Sequence, residues 1–219
     1  MTARIDRLVI PVTPFEQNCS LVWCRQTRRA VVIDPGGDLE RIRNAIERSD
    51  VTVERVLLTH AHLDHAAGAR TLADELGVAI EGPQAEDAFW LDAMPEQSRR
   101  FGFPAVAAFH PDRWLEAGDS VSFGEQRFEV IHCPGHTPGH VVFYHDDGVA
   151  FVGDVLFHGS IGRTDFPRGD HEQLIDSIRS RLWPLGEDVV FVPGHGPEST
   201  FGQERRMNPF VADFLFRDA

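Results

Sequence analysis

The sequence is short of the features that mark several protein classes. Cysteine occurs three times, at Cys19, Cys24 and Cys133, an odd number with no Cys-x-x-Cys pair. That argues against both a disulfide framework and a thiolate zinc knuckle, and makes a reducing cytoplasm the expected compartment. No apolar run is long enough to cross a bilayer. Residues 1–12 carry Arg4, Asp6 and Arg7 around a short apolar stretch, so neither a membrane span nor a signal peptide is expected. Basic residues are outnumbered, 21 against 34 acidic, for a formal charge of -13. Such a chain offers no basic surface to nucleic acid or to anionic membrane, and neither is an expected partner. Low-complexity tracts, short repeats and Gly/Ser linkers are missing too. The 219 residues are therefore expected to form one domain, 1–219, around one large core.

What is present is a succession of short β-branched runs. Ten read as strands: Leu8–Val12, Ser20–Trp23, Ala30–Ile33, Val53–Leu58, Val78–Ile80, Ser120–Phe123, Arg127–Ile131, Val141–Tyr144, Val149–Val152 and Val189–Val192. Helical periodicity covers Leu39–Arg48, Asp64–Leu76, Gln84–Arg100 with an interruption at Pro95, and Leu174–Leu182. Asp170 followed by Gln173 reads as a capping box ahead of the last of these. The stretch Phe101–Asp112 reads as irregular, and the tail from Glu198 has room for one helix at most. Sheets with helices outside them are the implied plan.

Chemistry concentrates in Thr59-His60-Ala61-His62-Leu63-Asp64-His65, between a strand and a helix. His60 and His62, two apart in extended backbone, leave the same face and can meet on one ion. Asp64 and His65 open the helix and project elsewhere, which suits a second ion. Three later fragments, Cys133-Pro134-Gly135-His136, Gly153-Asp154 and Pro193-Gly194-His195, each place a candidate ligand in a glycine-bounded turn after a strand. A lone histidine is more often a surface or hydrogen-bonded residue, and Asp64 alone would be a helix cap. A solvated surface, however, has no reason to gather three imidazoles beside an acid. His110, His132, His140, His145, His158 and His171 read as ordinary histidines, with His140 and His158 near enough in sequence to support ligands. Imidazole and carboxylate without thiolate suit divalent zinc, iron or manganese.

These motifs, with Gln17-Asn18-Cys19, Asp34-Pro35-Gly36-Gly37 and the segment from Gly159 to Asp170, resemble the metallo-β-lactamase superfamily. Within it they are most similar to the glyoxalase II (hydroxyacylglutathione hydrolase) group and its short YcbL-type members. The resemblance implies an α/β fold, an αββα four-layer sandwich with metals at one edge. It implies a first ion on His60, His62 and His136, a second on Asp64, His65 and His195, and Asp154 bridging the two. Two divalent ions, zinc first with iron or manganese as alternatives, would share a water and acidify it to a bridging hydroxide. Asp64 would orient that water or take its proton. An aspartate at 154, rather than cysteine or serine, is unlike the antibiotic-hydrolysing branch.

The implied substrate is a small-molecule glutathione thioester, S-D-lactoylglutathione or a related hydroxyacylglutathione, with Arg163 in Gly162-Arg163-Thr164-Asp165-Phe166 as its carboxylate anchor. Longer members carry tyrosines where this chain has Asp165 and Pro197, and a C-terminal glutathione-binding domain that has no counterpart here. Three rivals stand beside this thioesterase reading. A glutathione persulfide dioxygenase would use one iron on His60, His136 and Asp154. A phosphodiesterase or RNase of the same fold would use both ions, and a metal-binding scaffold would use neither chemically. A monomer or small homo-oligomer is expected.

Overall fold

Strands that run apolar without a break lie between two apolar layers, and those that alternate lie at an edge. The computed structural model describes residues 4–216, so the ends of the expected domain 1–219 and of the expected segments 1–12 and 198–219 lie outside the described residues. The first sheet runs in the order β1 (Ile5–Val12), β2 (Gln17–Cys24), β3 (Arg29–Ile33), β4 (Thr52–Leu57) and β5 (Ala79–Glu81). Its first three strands are antiparallel and its last three parallel. The second sheet combines β6 (Ser120–Phe123), β7 (Gln126–His132), β8 (Val141–His145), β9 (Val149–Gly153), β12 (Val190–Pro193) and β13 (Ser199–Thr200), with β9 and β12 parallel neighbours. A small hairpin of β10 (Leu156–Phe157) and β11 (Ser160–Ile161) stands apart.

All ten expected strands are present. The three extra ones, β10, β11 and β13, have two residues each, too few to leave a periodic pattern. Edge strand β6 alternates exposed and buried, whereas β9, Val-Ala-Phe-Val-Gly, is buried throughout.

Three apolar clusters separate four layers. Val22, Val31, Ile33 and Leu57 of the first sheet meet Phe123, Phe128, Phe143 and Phe151 of the second between the sheets. Each such buried phenylalanine contributes roughly 1.5–3 kcal/mol. Outside the first sheet pack α1 (Leu39–Ser49), through Ile42 and Ala45, and α3 (Ala69–Leu76), through Leu72 and Ala73. Outside the second lie α6 (His171–Ser177) and α7 (Phe201–Met207), through Leu174 and Phe201. The fold is the αββα sandwich.

Two helices depart from expectation for identifiable reasons. The expected helix Asp64–Leu76 breaks into α2 (Leu63–Ala66) and α3, because the Gly68 N–H donates to Pro35 O at 2.9 Å. The backbones pass so closely there that a Cβ on residue 68 would fall 2.4 Å from that oxygen. In the segment Gln84–Arg100 a 3₁₀ turn leads into α4 (Ala88–Asp92), and the break before α5 (Met94–Phe101) comes at Ala93. Pro95 sits in the first turn of α5, where its missing N–H is harmless. Asp170 does cap α6, accepting the Gln173 N–H at 3.0 Å, and a single turn of π-helix carries the chain on to Leu182.

The turns after β4, β9 and β12 open at one edge of the sandwich, where the two sheets are tied together. Val141 N–H of the second sheet donates to Thr59 O beyond the first (2.8 Å), and Asn18 N–H of the first donates to Gly194 O beyond the second (2.7 Å). Gly194 N–H in turn donates to Gly153 O (2.7 Å), locking the two parallel strand ends together.

Candidate metal centre

The seven expected side chains meet at this edge. His62 Nδ1 lies 3.1 Å from His60 Nε2 and 3.0 Å from His136 Nε2. One ring nitrogen has one proton or one lone pair, so it cannot hydrogen-bond to both neighbours. Three nitrogens around one cation at about 2.0–2.1 Å account for that spacing. A second group gathers Asp64, His65 and His195, with His195 Nε2 3.2 Å from Asp64 Oδ2 and His65 Nε2 3.8 Å from the same oxygen.

Asp154 stands between the groups. Its Oδ1 is 3.3 Å from His65 Nε2, and its Oδ2 is 3.6 Å from His136 Nε2 and 3.7 Å from His195 Nε2. His65 Nε2 and Asp154 Oδ1 are buried without a hydrogen-bond partner, as atoms awaiting a cation would be. The donor set and its orphaned atoms fit a pair of divalent ions.

The outward nitrogens fix the ring orientations. His60 Nδ1 faces Thr59 Oγ1 (3.1 Å), whose own proton goes to Asp34 Oδ2 (2.5 Å), so the ring N–H donates to the hydroxyl. His65 Nδ1 donates to Asp34 Oδ2 (2.9 Å), His136 Nδ1 to Arg163 O (2.7 Å) and His195 Nδ1 to Phe15 O (3.0 Å). Each of these four rings therefore turns its Nε2 inward, the atom a cation would take. Burial, reinforced by neighbouring rings, holds His60 and His62 well below the usual imidazole range, and burial also lowers His136. Burial opposes charge on His65 and His195 as well, but carboxylates outweigh it there and raise both: Asp154 and Asp64 at His65, the Asp64 hydrogen bond first at His195. Burial pushes Asp154 upward, yet His65, His136 and His195 prevail and hold it far below an ordinary carboxyl. The two acids thus call for positive charge between them.

Glycine is obligatory at two of the turns. A Cβ on Gly194 would lie 2.0 Å from Asp154 Oδ1, inside the cluster, and Gly153 has φ 48° with Thr59 Oγ1 only 2.5 Å from where its Cβ would be.

Residues not picked out by sequence chemistry complete the centre. Asp34, buried and in the left-handed region at φ 52°, takes the N–H of Thr59 (2.7 Å) besides its hydroxyl and His65. His140, set near the ligands by its sequence position, stacks on His60 with ring centres 4.7 Å apart and accepts the Asp154 N–H at 3.1 Å. Asp87 reaches the backbone between His60 and His62. By contrast His158 meets Gln203 on the cleft rim, while His110 and His132 bond to Asp92 and Pro138 away from the centre. In a further group, His145, Asp146 and Asp147, the two carboxylates are paired with the Arg4 guanidinium.

Over the cluster lies a cleft of about 820 Å³ walled by Phe15, Trp90, Phe101, Phe157, Ile161 and Phe166. Trp90 and Phe166 pack their rings on His62, with centres 4.7 and 4.9 Å away. Arg163 also lines the cleft, but its guanidinium forks onto Asp165 with both bonds at 2.7 Å and lies over the Phe166 ring.

The chain matches known proteins in sequence and in fold. Residues 12–195 match the Metallo-beta-lactamase superfamily. The chain is 51% identical over 205 residues to hydroxyacylglutathione hydrolase GloC of Haemophilus influenzae, covering 93% of this chain and 96% of that protein. Among solved structures, BLEG-1, titled a B3 metallo-beta-lactamase, superposes with TM-score 0.86 at 37% identity, covering 94% of this chain and 99% of that one. TTHA1623 in a di-iron-bound form superposes with TM-score 0.84 at 35% identity, over 93% and 100% of the two chains. The chain belongs to the metallo-β-lactamase superfamily, and within it to the glyoxalase II-type hydrolases.

Proposed function

We propose that the chain hydrolyses a glutathione thioester, S-D-lactoylglutathione first among them, giving a hydroxy acid and glutathione. His60, His62 and His136 would hold one divalent ion, Asp64, His65 and His195 a second, and Asp154 would touch both. Zinc suits this nitrogen and carboxylate set, and iron and manganese suit it too. The observation that carries the reading is the set of inward Nε2 atoms, each fixed by an oxygen acceptor behind it. Such ions supply Lewis acidity, which activates water near neutral pH and polarises a carbonyl. The chain's own part is to aim the ligand nitrogens inward, to hold Asp64 anionic beside His65 and His195 as orienter or acceptor of a water's proton, and to wall the reacting carbonyl from bulk water. Arg163 would receive a glutathione carboxylate in place of Asp165.

Both sheets supply ligands, which supports residues 1–219 working as one domain. Three buried, unpaired cysteines suit a reducing cytoplasm, and no described helix is long and apolar enough to cross a membrane. The second group of ligands favours hydrolysis over a persulfide dioxygenase with one iron. The test is purification without added metal, followed by assays with S-D-lactoylglutathione, glutathione persulfide under oxygen, and a chromogenic β-lactam. Thioester cleavage far above the other two is expected. Oxygen uptake with persulfide, or β-lactam opening without thioester cleavage, would replace the reading.

A further inference from the structure

Asp87 is a fully buried carboxylate outside the ligand set, with no ion-pair partner within 4 Å among the described residues. Burying an unpaired carboxylate is costly, and burial pushes this one up to about 6. Three donors compensate. Oδ2 accepts the N–H of Ala61 at 3.0 Å and the hydroxyl of Thr137 at 2.8 Å, and Oδ1 accepts the N–H of Gly139 at 2.6 Å. Ala61 lies between His60 and His62, Thr137 follows His136, and Gly139 precedes His140. One side chain therefore spans the two loops that bring three imidazoles together. The fit is close: Gln84 N–H also donates to Gly139 O, and a Cβ on residue 139 would sit 2.7 Å from the Asp87 nitrogen.

We propose that Asp87 is a positioning residue, whose carboxylate clamps the His60–His62 loop to the His136–His140 loop and sets the nitrogen spacing at the first ion position. This rests on the ion-binding reading above. An asparagine in its place has one acceptor oxygen and would turn an N–H toward either the Ala61 and Thr137 donors or Gly139. The loops would part slightly and the three nitrogens would no longer meet.

The experiment is titration of Co²⁺ into metal-free wild type, Asp87→Asn and Thr137→Val, with chelator competition for affinity, the cobalt d–d spectrum for geometry and circular dichroism for fold. Asp87→Asn is expected to keep the wild-type fold, to lose about 10–100-fold in affinity for one of two ions, and to shift the d–d bands. Thr137→Val, which deletes one of the three bonds, should move the same way by less. Wild-type affinity and spectrum in a folded Asp87→Asn, with only a lower melting temperature, would make the residue merely structural and overturn the proposal. Should Asp87→Asn not fold, wild-type behaviour of Thr137→Val overturns it instead. Absence of cobalt binding in the wild type is the distinct result that removes the ion reading and this inference with it.

Discussion

The ligand cluster and the cleft wall above it are built on opposite principles. In the cluster His60 and His65 are fully buried and tied through Asp34 and Thr59, so that neither ring can rotate without breaking a buried hydrogen bond. In the wall Phe15 and Phe101 are 46% and 45% exposed, and Arg163 is held by a solvent-screened, exposed pair with Asp165. The two kinds of specificity therefore reside in different places. The cluster would determine where cations bind, through rings held by buried hydrogen bonds. The wall would determine what reaches them, and part of it is exposed side chains.

The sharpest way to test that contrast is to remove a ligand. Asp154→Ala or His62→Ala is expected to abolish turnover, a loss beyond about 10³-fold, with ion content falling in parallel by elemental analysis. Activity within tenfold of wild type would mean the cluster is not the reacting centre.

The buried frame should also declare itself through pH. Asp87 rises from an ordinary carboxyl's 3.8 to about 6 in the fold. Its folded form thus binds a proton more tightly than the unfolded chain does, so its contribution is fully present below about pH 4 and is lost as pH rises through about 6. Thermal melts of the metal-free proteins should shift in favour of Asp87→Asn relative to wild type across that window. The expected total is on the order of 3 kcal/mol, and a pH-independent gap would contradict it.

Asp34→Asn comes next, since it weakens the support of His65 and Thr59 together. A roughly 10–100-fold fall in ion affinity, measured by chelator competition, is expected. The wall should respond least. Arg163→Ala should raise KM a few-fold at unchanged kcat, and Asp165→Asn, which frees the guanidinium, should lower KM by a similar factor. An unchanged KM in both would remove Arg163 from the substrate site.

Much of the cluster was legible because its ligands lie in local patterns. The His-x-His-x-Asp-His run and three strand-glycine-ligand turns announce themselves, and the ten longer strands follow from β-branched runs. The supports were less legible for a physical reason. Asp87 acts on Ala61, Thr137 and Gly139, 26, 50 and 52 positions away, and only the finished fold makes them neighbours. Asp34 stood out through resemblance alone, although an aspartate before proline and two glycines, with φ 52°, is the kind of strained turn that often marks a site. The break at Gly68 was hidden for a similar reason, since helical periodicity carries no information about Pro35 pressing on the chain. For Arg163 the residue was evident, whereas its capture by Asp165 two positions on depends on a loop conformation that spacing does not encode.

The proposed hydrolysis requires two cations between these seven side chains, both of them needed for turnover. The decisive experiment is to titrate Zn²⁺ into metal-free protein while following thioester hydrolysis. Activity should climb until two equivalents per chain are bound and then level off; a plateau at one equivalent, or full activity with none, would contradict the account.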